Sequence, residues 1–164
     1  MHGIRRILCC LGLRGDCDPV LDRAVGLSLA TGAELHVLHA VKSLSNDVVN
    51  TLKVNIRDRE VLGGLMQQRL DQASADLDRC IETFWQQHPE LRDAYGDRQL
   101  SRSVLEGYPA SVIAHFAKRT GSDMIVLAAN KRTFTATYAG KVTKGVIKRA
   151  RVPVMVVPAR IDAS

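Results

Sequence analysis

Aromatic residues are scarce: one Trp, three Tyr and three Phe make up 4% of the chain. That scarcity argues against a stacking platform for single-stranded nucleic acid, so a nucleic-acid partner is not expected. No run approaches the roughly 18 consecutive apolar residues of a membrane span. The cysteines are few (Cys9, Cys10, Cys17 and Cys80) and form neither a CxxC nor a zinc-ligand spacing. Cys9 and Cys10 fall on opposite faces of an apolar run and read as small apolar fillers. Cys17 stands between Asp16 and Asp18, whose charge disfavours a thiolate, so no redox role is expected of it. There is no GxSxG elbow and no Cys/His pair at a telling spacing. No catalytic constellation emerges, and the chain does not read as an enzyme.

The N-terminus superficially suggests a leader, with Arg5-Arg6 before the apolar run Ile7–Leu11. The run is too short, and Arg14 and Asp16 close it at once. A soluble protein of the reducing cytoplasm is therefore expected.

What is present is an ordinary globular composition: 164 residues, 46% apolar and 24% charged. That is enough for one self-sufficient core, and a single domain over 1–164 is expected. The net charge is +6, and its distribution is uneven. From Lys131 to Arg151 the basic residues are Lys131, Arg132, Lys141, Lys144, Lys148, Arg149 and Arg151, with no acidic residue among them.

The order of elements can be read along the chain. Ile4–Leu11 is a near-continuous apolar run, as in a strand buried on both faces. Asp18 is a candidate N-cap with Pro19 at the first helical position, and Gly32 is the stop. Residues 33–41 read as a second strand and 42–57 as irregular. From Asp58 to Gln87 the apolar positions Leu62, Leu65/Met66, Leu70, Ala73, Leu77, Ile81 and Phe84 recur every three or four residues. That is a helical stripe, expected to face the core, and His88-Pro89 ends it. Gln99–Leu105 is a third strand. Pro109 opens a helix that Gly121 stops. Residues 123–129 are a fourth strand, 130–138 a polar loop and 140–150 a helix. Residues 152–157 form a last strand whose internal Pro153 marks an edge.

Strands alternating with helices predict a doubly wound α/β domain: five strands, mostly parallel, with helices on both faces. Ligands of such sheets bind beyond the carboxyl ends of strands where the strand order reverses, here after strands one and four. Gly140-Lys141 opens a helix at that place, and free amides with a lysine can hold a phosphate. The string Gly140-Lys141-Val142-Thr143 is not a P-loop. The upstream glycine position holds Thr135, and Ser/Thr does not directly follow the lysine. Asp16 and Asp18 resemble the acidic pair of a receiver domain, but the third strand offers only Glu106 where a phosphoacceptor Asp is needed. His36 and His39 lie three apart on a strand and face opposite sides, so they do not share a metal.

Three segments together resemble the universal stress protein (UspA) family. They are the opening strand and helix from Ile4 to Val41, EGYPASVIAHFAKRTGSDMIVLAA, and the ending GKVTKGVIKRARVPVMVV. The resemblance implies an adenine-nucleotide α-hydrolase-like fold and a role in stress response. Members that bind ATP carry an Asp after the first strand and a Gly-x2-Gly-x9-Gly-Ser/Thr loop after the fourth; UspA itself lacks the loop. Here the Asp position falls on Gly12 or Leu11, the first loop glycine on Ala128, and the second on Asn130 or Lys131. Gly140 keeps the third glycine, Lys141 replaces Ser/Thr, and Val142 follows as in the family.

Side chains at two glycine positions narrow a loop that brings amides to phosphates. A binding or regulatory module without tight ATP binding is therefore expected, with an ATP- or AMP-responsive switch as the alternative. In that alternative Gly140, Lys141 and Val142 meet the phosphates, while Val41, Leu127 and Ala128 line the base and ribose. A bare apolar edge strand seeks a partner. With the resemblance, this implies a homodimer paired through Val154, Met155, Val156 and Val157.

Overall fold

The computed structural model describes residues 3–13, 17–98, 100–129 and 140–158. Five strands form one sheet: β1 (Arg6–Cys10), β2 (Glu34–Lys42), β3 (Leu100–Gly107), β4 (Met124–Ala128) and β5 (Val154–Val157). Their order is β3-β2-β1-β4-β5, and every neighbouring pair is parallel. β1 is central. Cys9 lies opposite Val37 on one side and Val126 on the other. Strands buried on both faces need continuous apolar runs, and Ile7–Leu11 supplies one: each of these residues is buried.

The described residues form six helices, α1 (Asp18–Thr31), α2 (Asn46–Asn55), α3 (Arg59–Gln87), α4 (Pro89–Tyr95), α5 (Pro109–Thr120) and α6 (Lys141–Arg149), and all but α2 contribute buried residues to the packing on the sheet. Ile7, Cys9, Leu11, Val37 and Val126 pack with residues of α1, α3 and α4 on one face. Leu8, Cys10, Leu38, Ile125 and Leu127 pack with α5 and α6 on the other. Alternate residues of each strand thus serve two separate cores. Cys9 and Cys10 fill one core each. Burial pushes the Cys9 thiol up to about 12 and that of Cys10 well above the ordinary range, so both are inert fillers.

The local punctuation explains where α1 begins and ends. Pro19 sits in its first turn, and Gly32 closes it with φ 73° while its N–H donates to the Ser28 carbonyl. The N-cap, however, is Cys17, with no side-chain cap bond. Asp18 is the first helical residue, and its carboxylate accepts instead from His88.

Four further expectations are corrected or extended. Residues 42–57 are not wholly irregular: Ser45 caps α2 by accepting from the Val48 N–H, yet α2 has no buried residue. After His88 the chain adds the seven-residue α4, whose Tyr95 is buried. The last strand begins at Val154, so Pro153 lies just outside it and contributes only its carbonyl, which accepts from Ile125 N–H. The stripe of α3 is only partly a core face. Leu77, Ile81 and Phe84 are buried, whereas Leu65 is 42% exposed.

The two helical layers carry opposite charge. α5 and α6 hold six cations and no carboxylate. α1, α3 and α4 hold nine carboxylates against five cations.

Candidate functional site

β1 is short, and its neighbours outrun it. Cys10 is in register with Leu38 of β2 and Leu127 of β4. β2 continues to Lys42, paired on its far side with β3 up to Gly107. The result is a notch at the carboxyl edge of the sheet, floored by Leu11 and Gly12, at the point where the strand order reverses. Two bonds fix the floor. The Leu11 N–H donates to the Leu38 carbonyl (2.9 Å). The His39 ring donates through Nδ1 to the Leu11 carbonyl (2.7 Å), which requires the proton to sit on Nδ1. His36, on the opposite face, bonds Ser103 and packs against Phe116, so the two histidines are indeed separated.

The start of α6 forms the other wall. Gly140 N–H donates to the Ala129 carbonyl (2.9 Å), and Ala129 N–H donates to Val157 (2.9 Å). Thr143 is 1% exposed, and its Oγ1 donates to the Ala128 carbonyl (2.8 Å). The first turn is thereby stitched to the end of β4. Helical geometry leaves the amides of Lys141, Val142 and Thr143 outside the helix's own ladder, at the positive end of its dipole. Gly140 supplies no side-chain cap. Lys141 is exposed beside these amides, within the all-basic α5–α6 layer.

Gly140 and Thr143 are bonded to the end of β4 at Ala129 and Ala128, Lys141 and Val142 lie in the same first turn of α6, and Gly12 follows the end of β1. Val41 is half-buried near the end of β2, beyond the register position where β1 stops. Leu127, in register with the last residue of β1, is 3% exposed and packs in the core with residues of α5 and α6. Asn130 and Lys131 lie outside the described residues. Space does not forbid a carboxylate at Gly12: a Cβ there would meet nothing within 4 Å. Sequence reading missed His39 and Thr143 as the residues that hold the notch in shape. A histidine near a strand end and a threonine in a helix's first turn are its only local traces. Among the described residues no cluster of His, Cys, Asp or Glu could hold a metal ion.

A second feature lies beside the notch. An open cavity of about 350 Å³ separates the start of α1 from α3, lined by Cys17, Asp18, Asp76, Arg79, Cys80 and Phe84 among others. Cys17 and Cys80, 63 residues apart, are joined there as a disulfide, so Cys17, of which no redox role was expected, is a bonded cysteine. Two of the lining residues, Asp18 and Phe84, also meet His88. Its Nε2–H donates to Asp18 Oδ1 and its ring rests on Phe84 at 4.6 Å between centroids.

The bond to Asp18 raises the His88 pKa above its ordinary 6.5, with the nearby Asp18, Asp22 and Glu90 charges adding to it against partial desolvation. A raised folded-state value means that the charged pair stabilises the fold fully below 6.5. Its contribution is lost as pH climbs through the folded-state pKa. The melting-temperature gap between wild type and His88→Gln is thus expected to be widest on the acidic side of 6.5 and to shrink as pH rises, in parallel thermal scans.

Residues 3–158 match the sequence profile of the universal stress protein family. The chain belongs to that family. Solved structures agree on the fold. The universal stress protein UspA from Lactobacillus plantarum superposes with a TM-score of 0.68 at 19% identity, covering 96% of this chain and 99% of that one. A universal stress protein in complex with cAMP gives 0.59 at 15% identity, covering 95% and 98%. The universal stress protein from Archaeoglobus fulgidus in complex with dAMP gives 0.52 at 16% identity, covering 93% and 97%. No curated protein matches the sequence.

Proposed function

We propose that this stress-response protein works in the cytoplasm as a non-catalytic regulatory module that does not bind ATP tightly. The observation that carries this reading is the notch itself. Its floor offers Gly12 rather than an acidic acceptor for the nucleoside, and Ala128 stands where a glycine would let the backbone approach. A second reading, a switch that senses AMP or ATP, is supported by the intact start of α6. There Lys141 and the amides of Lys141, Val142 and Thr143 make an anion cradle. Relatives solved with cAMP and dAMP lend it weight.

Thermal unfolding with Mg-ATP, AMP, GTP and inorganic phosphate separates the two. The leading reading expects no adenine-specific shift at millimolar ligand. Ligand at about 100 times its Kd would add roughly 2.7 kcal/mol, several degrees for a domain of this size. A shift with adenine nucleotides that Lys141→Glu abolishes would replace the leading reading with the switch. Gly12→Asp, which the space allows, is expected to strengthen adenosine binding in either case.

The functional unit we propose is a homodimer. β5 is the outer strand of the sheet, and Val154, Met155 and Val156 are only half-buried in the single chain. An apolar edge strand of this kind favours pairing with a second copy. Among the described residues no helix is long and apolar enough to cross a membrane, which fits this placement. Val156→Asp is expected to convert a dimer to a monomer by sedimentation or light scattering; an unchanged mass would place the interface elsewhere.

A further inference from the structure

We propose that Cys17 and Cys80 are a reversible oxidative modification site, a dithiol that exchanges with low-molecular-weight disulfides of the glutathione type. The fold, not the sequence, creates it. Cys17 stands at the N-cap of α1 and Cys80 lies mid-way along α3, with their Cα atoms 6.7 Å apart. That separation lies within the range a disulfide can span. Both residues line the open 350 Å³ cavity, so a small disulfide can reach them. Cys9 and Cys10, at 0% and 7% exposure, are out of reach.

The electrostatics differ from what the flanking aspartates suggest. Asp18 is engaged by His88, and Asp76 by Arg79 at 3.1 Å, so the two carboxylates lining the cavity face cations or donors. The Cys17 position faces the positive end of the α1 dipole, where a thiolate is favoured. Cys17 is therefore the attacking thiol and Cys80 the resolving one.

The chemistry balances. The Cys17 thiolate attacks one sulfur of the small disulfide, forming a mixed disulfide and expelling one thiolate. The Cys80 thiolate then attacks the Cys17 sulfur, closing the Cys17–Cys80 bond and expelling the second. The protein loses two electrons and two protons, and the small disulfide becomes two thiols. Excess small thiol reverses both steps. In the closed form Cys17 ties the start of α1 to α3, so oxidation clamps the entrance of α1. This inference needs no ligand in the notch and stands apart from the nucleotide readings.

The test is a redox titration of the full chain in glutathione buffers running from reducing to oxidising. Samples are acid-quenched, denatured and labelled with maleimide-polyethylene glycol. Four adducts are expected at the reducing end and two at the oxidising end, with a single reversible transition between them. Peptide mapping is expected to find Cys17 linked to Cys80. The oxidised form is expected to melt roughly 5–10 °C above the reduced one, because the bond closes a long loop. In Cys80→Ser the resolving thiol is gone, so one glutathione is expected to accumulate on Cys17 under oxidising conditions, read by intact mass. Four adducts at every ratio, a bond joining any other pair, or a bond that survives excess reduced glutathione would each overturn the proposal. The wild-type titration alone decides it should the variant fail to fold.

Discussion

Phe84→Ala is expected to lower the melting temperature by about 10 °C, the equivalent of roughly 3–5 kcal/mol. The side chain is 2% exposed and is the last buried residue of α3. Its ring meets Trp85 at 5.3 Å and His88 at 4.6 Å, so one truncation removes apolar burial and two ring contacts together. The site cannot collapse to compensate, since Phe84 already borders the 350 Å³ cavity and its loss would enlarge that opening. His88 would lose the surface that holds its ring toward Asp18. The pH-dependent gap between wild type and His88→Gln should therefore narrow in the Phe84→Ala background. Leu65→Ala is the control: it belongs to the same helical stripe but is 42% exposed, and a change within about 0.5 kcal/mol is expected. Chemical denaturation of the three proteins measures both. A Phe84→Ala loss no larger than that of Leu65→Ala would mean that α3 is not anchored through its last turns.

The contrast between Phe84 and Leu65 shows what a sequence can and cannot convey. Periodicity announced a helix from Asp58 onward, and the helix is there to the residue pair that ends it. It could not announce where the stripe leaves the sheet. A helix of 29 residues is about 43 Å long, whereas the nine residues of β2 span about 30 Å, so the first turns of α3 run past the core. The strands, Pro109, Gly32 and Gly121 were legible because each depends on local chemistry. α2 was not, because a helix without a buried face carries no strong stripe.

Within the candidate site, Gly140, Lys141 and Val142 could be read from the chain as a helix start. His39 on the Leu11 carbonyl and Thr143 on the Ala128 carbonyl could not, because both bonds depend on strand register and helix placement. The Asp18 cap failed for a non-local reason: His88, 70 residues away, takes the carboxylate. The cysteine pair is the same kind of case. Asp16 and Asp18 are visible beside Cys17 in the sequence, while Cys80 arrives only through the packing of α3 on α1.

The position of α6, and with it the proposed anion cradle, rests on a close approach that a glycine at Gly145 permits. A Cβ on Gly145 would stand 2.6 Å from the Cβ of Ala110, and 3.3 Å from the Arg149 guanidinium. Real carbon atoms do not approach so closely, so α6 must back away from α5. Two effects compete in Gly145→Ala. Helix propensity favours alanine by about 1 kcal/mol. Overpacking between two helices already in contact costs about 1–3 kcal/mol. The second prevails because backbone, not a flexible side-chain tip, must move. A net loss of about 1–2 kcal/mol is expected in chemical denaturation, and a larger one for Gly145→Leu.

The same movement would pull Thr143 from the Ala128 carbonyl, displacing the amides of Lys141 and Val142 from the notch. Any phosphate-dependent thermal shift should therefore fall along with stability. Ala110→Gly restores the room, so the double variant is expected to be more stable than the sum of the single effects predicts, by about 1 kcal/mol of favourable coupling. A stabilised Gly145→Ala protein, or strictly additive effects, would show that α6 can shift at no cost. The glycine would then owe its place to something other than the contact with Ala110.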